Sequence, residues 1–467
     1  MGLGGMGQRV KGILVFILVV GVILRLQGVE NPYLDDQGWR QADTASMALN
    51  MLGHLGDFPD VLFPTLNYDG SGPQPVELEF PFLPYLLAWT WTIFGWYDLW
   101  GRLWAISFSV LTMIGVYQFG KLTFSIRAGL WAVAFYAVIP LTTYYGRTVM
   151  PEPVAQAFSI WALIAVIHWR KEPSFIRLLG ASLLMSGAIL AKLPQLMIFP
   201  VALLLGFYPL QGRIGKMLTY SVLSLFLPMI YYSWVHMGAA GSSQFVSGIF
   251  SYQIMGDQNN YVQDLLMNLK RGLGFPTLLA LMGMIIMIRE ESLKNEVHLA
   301  MILWAVVCCF YLGVICLKIP LDYYLVPIAL PIALLAGFAL DKGEQTPTIG
   351  VGVLILSLLL TSQYTNDRPK YLWDEQVLTQ AKWIREYTQK ESVLILSGSP
   401  PMTLYYAQRY GYRLISSDDV QAWLDLHTLS GDYLVVLPHS RGEEFRKRIE
   451  ASFPQVGPGV YKIQDKI

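Results

Sequence analysis

Long apolar runs separated by short polar connections fill the first three quarters of the chain. Runs of this length predict membrane-spanning helices, because about 20 apolar residues cross the hydrocarbon core of a bilayer. We predict eleven spans, at 10–28, 101–121, 127–146, 152–169, 175–192, 194–210, 216–236, 273–289, 297–317, 324–341 and 346–363. A further run, 80–96, begins with prolines and carries three tryptophans, a composition typical of the membrane interface.

The basic residues of the short connections orient these spans. If the N-terminus is cytoplasmic and 80–96 lies in the outer interface, every predicted cytoplasmic connection is basic, as the positive-inside rule requires. These connections carry Lys121, Arg127, Arg170, Lys171, Arg177, Arg213, Lys216, Arg289, Lys294 and Lys342. A full crossing by 80–96 would move all of them outside, so we predict that this segment is interfacial or re-entrant.

An odd number of spans places the two chain termini on opposite sides of the membrane. We therefore predict a multi-pass protein of the plasma (cell inner) membrane, with its C-terminal domain outside the cytoplasm. The large connections 29–100 and 237–272 become the first and second outer loops.

The C-terminal segment 366–467 differs in composition from the rest. Of its 102 residues 26 are charged, against 40 in the preceding 365. This contrast predicts a transmembrane domain over 1–365 and a soluble domain over 366–467. Predicted helices at 373–389, 401–410, 418–428 and 441–452 alternate with strands at 393–398, 412–416, 433–438 and 459–464, a pattern typical of a small α/β layer.

Composition excludes several classes of function. The chain is 54% hydrophobic and 14% charged, with zero net charge, which disfavours a soluble protein or a nucleic-acid partner. The three cysteines all lie in one apolar run, so no disulfide framework is predicted. The histidines show no metal-ligand spacing. The sequence requires no cofactor and predicts no metal site, although outer carboxylates could hold a divalent cation.

Carboxylates are concentrated in the first outer loop. Asp35 and Asp36 come directly before a predicted helix that starts at Arg40-Gln41, and Asp43 lies one turn inside it. We expect this helix to lie on the membrane, with alanines and leucines on one face. Carboxylates at a helix start ordinarily cap it or interact with its dipole, which would explain Asp35 or Asp36 without any catalytic role. Glu79 directly precedes the interfacial run and could be a solvated flank.

Isolated cations mark the outer ends of the predicted spans. They are Arg102 at the second span, Arg147 beside Glu152 between the third and fourth, Lys192 between the fifth and sixth, and Lys318 before Asp322-Tyr323-Tyr324. Each could be a side chain that snorkels to water and pairs with a carboxylate. Ionisable groups at membrane depth are nevertheless functional candidates. Cations could hold a lipid-linked phosphate while a carboxylate takes the proton of an attacking acceptor.

The order and spacing of these groups resemble the polytopic GT-C-type glycosyltransferases over roughly 10–345. Within them the chain is similar to the protein O-mannosyltransferases and the bacterial 4-amino-arabinose lipid A transferases. The resemblance rests on the acidic stretch after the first span, the Glu79-Phe80-Pro81 step, Arg102, the Arg147 to Glu152 turn and the Asp322-Tyr323-Tyr324 segment.

This resemblance implies the transfer of a sugar from a polyprenyl- or dolichyl-phosphate donor to a lipid, glycan or protein acceptor. The reaction would take place on the extracytoplasmic face, usually with inversion. From their position at the outer span ends, we predict that Arg102, Arg147, Lys192 and Lys318 include the partners of the donor phosphate. Asp35, Arg40, Gln41, Glu152, Asp322, Tyr323 and Tyr324 become substrate-positioning candidates.

The family's catalytic base is an Asp in the first outer loop. The family often has Asp-Glu at the helix start, where this chain has Arg40-Gln41. The base is therefore Asp36 or Asp43, with Glu79 as a third candidate that could orient the acceptor. We favour Asp36, because an Asp inside the helix could instead fix Arg40 or a neighbouring loop.

Three other functions are alternatives to a phosphate-donor glycosyltransferase. A transporter or flippase of lipid-linked glycans should bury charges near mid-membrane in broken spans, whereas here the polar groups gather at the outer ends. A ligase or polymerase that uses a diphosphate-linked donor differs in its leaving group, which the sequence leaves open. A receptor built around the outer domain would not need eleven spans as an anchor.

Overall fold

The computed structural model describes residues 3–239, 258–289, 295–316, 319, 321–343, 352–353, 355–360, 368–397, 401–416, 418–437 and 440–463. The chain divides into two compact units. The first comprises Met1–Val29, Arg102–His236 and Phe245–Pro369. The second comprises Glu30–Gly101, Met237–Gln244 and Lys370–Ile467.

The first unit is built from helices. Within the described residues they are α1 (Leu3–Arg25), α4 (Asp98–Thr123, which starts in the second unit), α5 (Ile126–Val138), α6 (Pro140–Tyr145), α7 (Glu152–Lys171), α8 (Phe175–Ala191), α9 (Phe199–Phe207), α10 (Ile214–Gly238), α11 (Gln258–Gly272), α12 (Pro276–Arg289), α13 (Glu296–Tyr311) and α14 (Ala329–Lys342). Short 3-10 segments, Leu193–Ile198 and Asp322–Ile328, precede α9 and α14.

Four helical segments of the described chain are long and apolar enough to cross a membrane. They are Asp98–Thr123, Ile214–Gly238, Glu296–Cys316 and Asp322–Lys342, and a bent pair, Val262–Gly272 with Pro276–Arg289, would make a fifth. A mostly helical membrane protein is therefore confirmed, while the count of eleven spans stays a prediction.

Proline explains why several predicted spans are divided into shorter helices. The predicted span 127–146 breaks between α5 and α6 at Pro140, and the predicted span 194–210 opens with a 3-10 segment that contains Pro194. Proline lacks the amide hydrogen that an α-helix needs in its interior, so it ends or bends the helix.

The second unit combines two pieces that are far apart in sequence. The first outer loop contributes α2 (Gly38–Met51), β1 (Thr65–Leu66), β2 (Gln74–Pro75) and α3 (Phe82–Phe94). The C-terminal segment contributes α15 (Glu375–Tyr387), β3 (Val393–Ser397), α16 (Pro401–Ala407), β4 (Tyr410–Leu414), α17 (Asp419–Thr428), β5 (Tyr433–Val435), α18 (Glu443–Ser452), β6 (Gln455–Gly457) and β7 (Val460–Lys462).

The predicted C-terminal α/β layer is confirmed. Its sheet has the order β4-β3-β5-β7-β6, in which β3 is parallel to β4 and β5 while β7 is antiparallel to β5. The residues Ile395, Leu434, Phe445 and Ile449 bury one face of it. The three-residue strand β6 was not predicted, because a strand this short gives no recognisable alternation.

The predicted helix in the first outer loop is present and packs inside its own unit, while its expected position on the membrane stays a prediction. Eleven of the fourteen residues of α2 are buried, including polar ones, since the helix packs against α3, α16 and β1 of its own unit. The membrane position was predicted from the apolar face alone, and the C-terminal partner cannot be read from that pattern. The apolar helix α3 has 13 residues, a length of about 20 Å, which is short of a bilayer core.

The loop after α2 is attached to the edge of the C-terminal sheet. Residue Tyr68 forms a parallel bridge with Gly411 in β4. The Gly411 amide donates to the Asn67 carbonyl at 3.1 Å, and the Gly70 amide donates to the Gly411 carbonyl at 3.2 Å. A Cβ at position 411 would stand 2.1 Å from the Leu394 carbonyl oxygen, so glycine is required for this close approach.

Candidate functional site

The acidic stretch before α2 is held by the backbone and by Gln41. The buried Asp35 carboxylate accepts a hydrogen bond from Gln41 Nε2 at 2.7 Å, and the same amide donates to the Asp36 carbonyl at 3.3 Å. The Asp36 amide donates to the Lys370 carbonyl at 3.0 Å. The Asp36 side chain is about a third exposed and lies 3.5 Å from Lys370 Nζ. Asp36 is therefore fixed in place and already paired with a cation.

Asp43 has a different environment inside α2. Its side chain is buried, its Oδ2 accepts a hydrogen bond from the Tyr68 hydroxyl at 3.4 Å, and its Oδ1 has no hydrogen-bond partner among the described residues. Burial raises the pKa of Asp43 from an ordinary 3.8 to about 7, although Arg40 and Arg413 oppose this shift. A carboxyl with this pKa exchanges protons at neutral pH.

Arg40 and Glu79 form an ion pair within the second unit. Arg40 is 7% exposed, so the pair is largely removed from water, and the Thr44 hydroxyl donates to the Arg40 carbonyl at 3.1 Å. The structure thus brings together two predicted site residues that are 39 positions apart. Since Arg40 neutralises Glu79, the pair is suited to holding the loop end against α2.

Tyr68 is held from the opposite side by Arg413 of β4. The Arg413 guanidinium lies 3.8 Å from the centroid of the Tyr68 ring. Arg413 Nε also donates to Asp69 Oδ1 at 3.0 Å, and a second guanidinium nitrogen donates to Asp69 Oδ2. Two parallel charge-assisted bonds fix the guanidinium plane. Sequence reasoning missed Tyr68 and Arg413.

Lys192 and Glu152 form a buried ion pair in the first unit. Glu152 opens α7 and Lys192 directly follows α8. The ammonium also lies 4.6 Å and 5.1 Å from the ring centroids of Tyr323 and Tyr324. Four predicted site residues are therefore gathered here, and Lys192 is placed by contacts with a carboxylate and two aromatic rings.

The remaining predicted residues of the first unit lie at neighbouring helix ends. The Tyr145 hydroxyl donates to Asp322 Oδ1 at 2.5 Å, which ties α6 to the start of the 3-10 segment. The fully buried Arg147 donates from Nη1 to the Gly28 carbonyl at 3.0 Å and lies 5.0 Å from the Tyr144 ring centroid. Arg102 is also fully buried, in the first turns of α4. Lys318 lies outside the described residues.

Two buried glutamines, Gln156 and Gln195, lie close in sequence to Glu152 and Lys192 and were missed by sequence reasoning. Gln156 follows Glu152 by four residues in α7, so both lie on the same face of that helix, and Gln195 lies in the 3-10 segment that follows Lys192. All four of their side-chain amide atoms are buried and have no hydrogen-bond partner among the described residues. An amide inside an apolar run was the available signal.

Metal ligands do not come together in the described part of the chain. No three His, Cys, Asp or Glu side chains there are close enough to hold an ion. The carboxylates of Glu79, Glu152 and Asp36 instead pair with cations. Lys192 and Arg413 also contact aromatic rings.

Comparison with known proteins supports the family resemblance. The family model described as dolichyl-phosphate-mannose-protein mannosyltransferase matches residues 74–234. No curated protein sequence matches. ArnT from Cupriavidus metallidurans, solved bound to undecaprenyl phosphate, is similar with a TM-score of 0.66 and 13% identity over 97% of both chains.

Archaeal oligosaccharyltransferases share the fold as well. A structure of the Archaeoglobus fulgidus enzyme in complex with Zn and sulfate has a TM-score of 0.65 and 14% identity, over 91% of this chain and 67% of its own. A structure of the Archaeoglobus fulgidus oligosaccharyltransferase AglB with an inhibitory peptide and a dolichol-phosphate has a TM-score of 0.64 and 13% identity. The match covers 91% of this chain and 69% of that one. The resemblance to GT-C-type glycosyltransferases is confirmed by these matches.

Proposed function

We propose that this protein transfers a sugar from a polyprenyl- or dolichyl-phosphate donor to an acceptor on the extracytoplasmic face of the plasma membrane. The observation that carries the proposal is the likeness of fold, over 97% of the chain, to an ArnT that was solved with undecaprenyl phosphate bound. The acceptor is a lipid, glycan or protein, and the sugar is a hexose or pentose. A divalent cation is compatible with this chemistry.

The donor phosphate is assigned to the first unit. Lys192 supplies the positive charge, and the amide groups of Gln156 and Gln195 supply donors that have no partner among the described residues. Arg147 and Arg102 are buried cations of the same unit that add positive potential. Positive charge that is already in place stabilises a departing phosphate, because no solvent has to reorganise as the charge develops.

The base is assigned to Asp43 in preference to Asp36. Asp43 has a pKa of about 7, close to the value at which a general base is most effective. Buried carboxyls with strongly shifted pKa values cluster at functional sites. Oδ1 has no partner among the described residues, so it is the oxygen left to take the proton of the acceptor. Asp36 is the alternative, because its carboxylate is already exposed.

The proposed reaction is a single displacement. The acceptor hydroxyl or amine attacks the anomeric carbon while its proton passes to the general base. The bond between that carbon and the phosphate oxygen breaks, and polyprenyl phosphate leaves with the bonding electron pair. Attack from the side opposite the phosphate inverts the anomeric configuration.

Lys192 gives the first prediction. A charge-assisted contact contributes about 1.5–3 kcal/mol, so we expect Lys192→Ala to lower kcat/KM for the donor roughly ten- to a hundredfold. The readout is polyprenyl phosphate released from a polyprenyl-phosphate sugar by the reconstituted protein. The control Lys171→Ala removes an exposed cation from the other end of α7.

Lys192→Ala leaves Glu152 buried and unpaired, which could unfold the protein. The double variant Glu152→Gln/Lys192→Met avoids this charge, and Gln195→Ala changes no charge at all. Wild-type kinetics in every one of these folded variants would exclude the Lys192 cluster as the phosphate site.

The topology gives the second prediction. The backbone bonds between Asn67, Gly70 and Gly411 support a common membrane side for the first outer loop and the C-terminal domain. We expect cysteines introduced at the exposed Ser71 and Ser430 to react equally with an impermeant thiol reagent in intact cells. Labelling of only one of the two positions would contradict the proposed orientation.

A further inference from the structure

Two side chains, Tyr68 and Arg413, link Asp43 to the C-terminal sheet. The Tyr68 hydroxyl donates to Asp43 Oδ2, and the Arg413 guanidinium covers the Tyr68 ring at 3.8 Å. Asp69, the neighbour of Tyr68, accepts hydrogen bonds from Arg413 at both carboxylate oxygens. A continuous chain of contacts, Asp69–Arg413–Tyr68–Asp43, therefore runs from the strand β4 to α2.

The backbone fixes the same arrangement independently. Tyr68 bridges to Gly411, two residues before Arg413 in β4, so that Tyr68 and Arg413 are brought together by the strand register. The Tyr410 hydroxyl donates to Asn50 Oδ1 at 3.1 Å, which ties the start of β4 to the last turn of α2. The loop, the strand and the helix thus form one framework around Asp43.

The polar groups given below for the other elements packed on α2 bond to partners other than Asp43. The charged and titratable groups that act on Asp43 are Arg40, Glu79, Tyr68 and Arg413. Arg40 is paired with Glu79. On α3 the Tyr85 hydroxyl donates to the Leu55 carbonyl, and on α16 the hydroxyls of Tyr405 and Tyr406 donate to Asp98.

We propose that Arg413 is a positioning residue that holds Tyr68 against Asp43 and thereby sets the pH at which this carboxyl gains and loses its proton. The C-terminal domain then contributes to the reaction, because its Arg413 sets the pH range in which the proposed base is ionised. Arg413 acts on Asp43 in two ways, by its contact with the Tyr68 ring and by its positive charge. This inference rests on the proposed function only in treating Asp43 as the base.

The direction of the effect follows from charge and hydrogen bonding. A nearby cation and a donated hydrogen bond both stabilise the ionised carboxylate. The positive charge of Arg413 and the Tyr68 hydroxyl each lower the pKa of Asp43, against the larger effect of burial. Removing either group should therefore move the titration of Asp43 to higher pH.

The test compares Arg413→Gln, Arg413→Lys and Tyr68→Phe with the control Lys447→Gln, which removes an exposed cation of the same domain. We expect the acidic limb of the kcat profile to move up by roughly 0.5–1 pH unit in Arg413→Gln and in Tyr68→Phe. Arg413→Lys keeps the charge but loses the paired bonds to Asp69, so the limb should move by less than in Arg413→Gln. A purely structural role would lower kcat without moving the limb.

A second readout separates this inference from the proposed function. Infrared spectra can follow the carbonyl band of protonated Asp43, identified by its loss in Asp43→Asn. If this band titrates at the same pH in the wild type, Arg413→Gln and Tyr68→Phe, the positioning inference is overturned whatever the activities. If the band moves as expected while Asp43→Asn keeps its turnover, the inference holds and the assignment of the base is wrong.

Discussion

We expect Asp43→Asn to lower kcat in a reconstituted transfer assay by about 10²–10⁴-fold, the usual contribution of a general base. Asparagine preserves the size of the side chain and can still accept the hydrogen bond from Tyr68, but it cannot take a proton from the acceptor. Because the substitution alters neither Lys192 nor the two glutamines assigned to the phosphate, donor binding should change little.

Two further variants locate the base. Asp36→Asn removes the alternative carboxylate, and Asp57→Asn removes an exposed one from the same loop as a control. We expect both to keep turnover within about tenfold of the wild type. A large loss in Asp36→Asn with normal turnover in Asp43→Asn would instead make Asp36 the base.

The same Asp43→Asn substitution should stabilise the protein at alkaline pH. A carboxyl with a raised pKa binds its proton more tightly in the folded than in the unfolded state. Its contribution to the free energy of unfolding is therefore complete below pH 3.8 and is lost as the pH rises to about 7. A shift from 3.8 to about 7 corresponds to roughly 4 kcal/mol at pH 8. Asparagine does not carry this cost.

Thermal unfolding in detergent measures this effect. We expect Asp43→Asn to raise the unfolding temperature by several degrees at pH 8, and by much less at pH 5, where the wild-type carboxyl is already protonated. The control Asp36→Asn should show no comparable gain that grows with pH. An equal change in Asp43→Asn at both pH values would mean that Asp43 is not the group whose ionisation destabilises the fold.

These two results together define why an aspartate would be kept in α2. A residue that weakens the fold at neutral pH and can be replaced by its amide with a gain in stability is costly unless it has a function. Loss of turnover with a gain in stability is the outcome expected of a catalytic residue. A gain in stability with full turnover would leave Asp43 without a catalytic role.

Local patterns were sufficient to predict much of the fold. The alternation of strands and helices predicted the described helices and strands of the C-terminal domain except β6 and the short 3-10 segment Arg368–Tyr371. The break at Pro140 was not predicted, because the apolar run continues through it. Hydropathy reports burial, whereas the continuity of a helix depends on the backbone of single residues.

The candidate site was predicted only where one segment carries its own signal. Asp43, Glu152 and Lys192 stand out as ionisable groups in apolar surroundings. Their partners do not, since Tyr68 and Arg413 are ordinary surface residue types whose contact joins positions 345 residues apart. The Lys192–Glu152 pair joins two helices, and sequence spacing cannot reveal which helix ends meet.

The most direct test of the glycosyltransferase proposal is mass spectrometry of lipid and glycan fractions from cells with and without this protein. We predict that cells without it accumulate a polyprenyl-phosphate sugar and lack that sugar on one lipid, glycan or protein. The wild-type chain should restore the modification, and Asp43→Asn should not. Identical profiles in every fraction from the two cell populations would contradict the proposal.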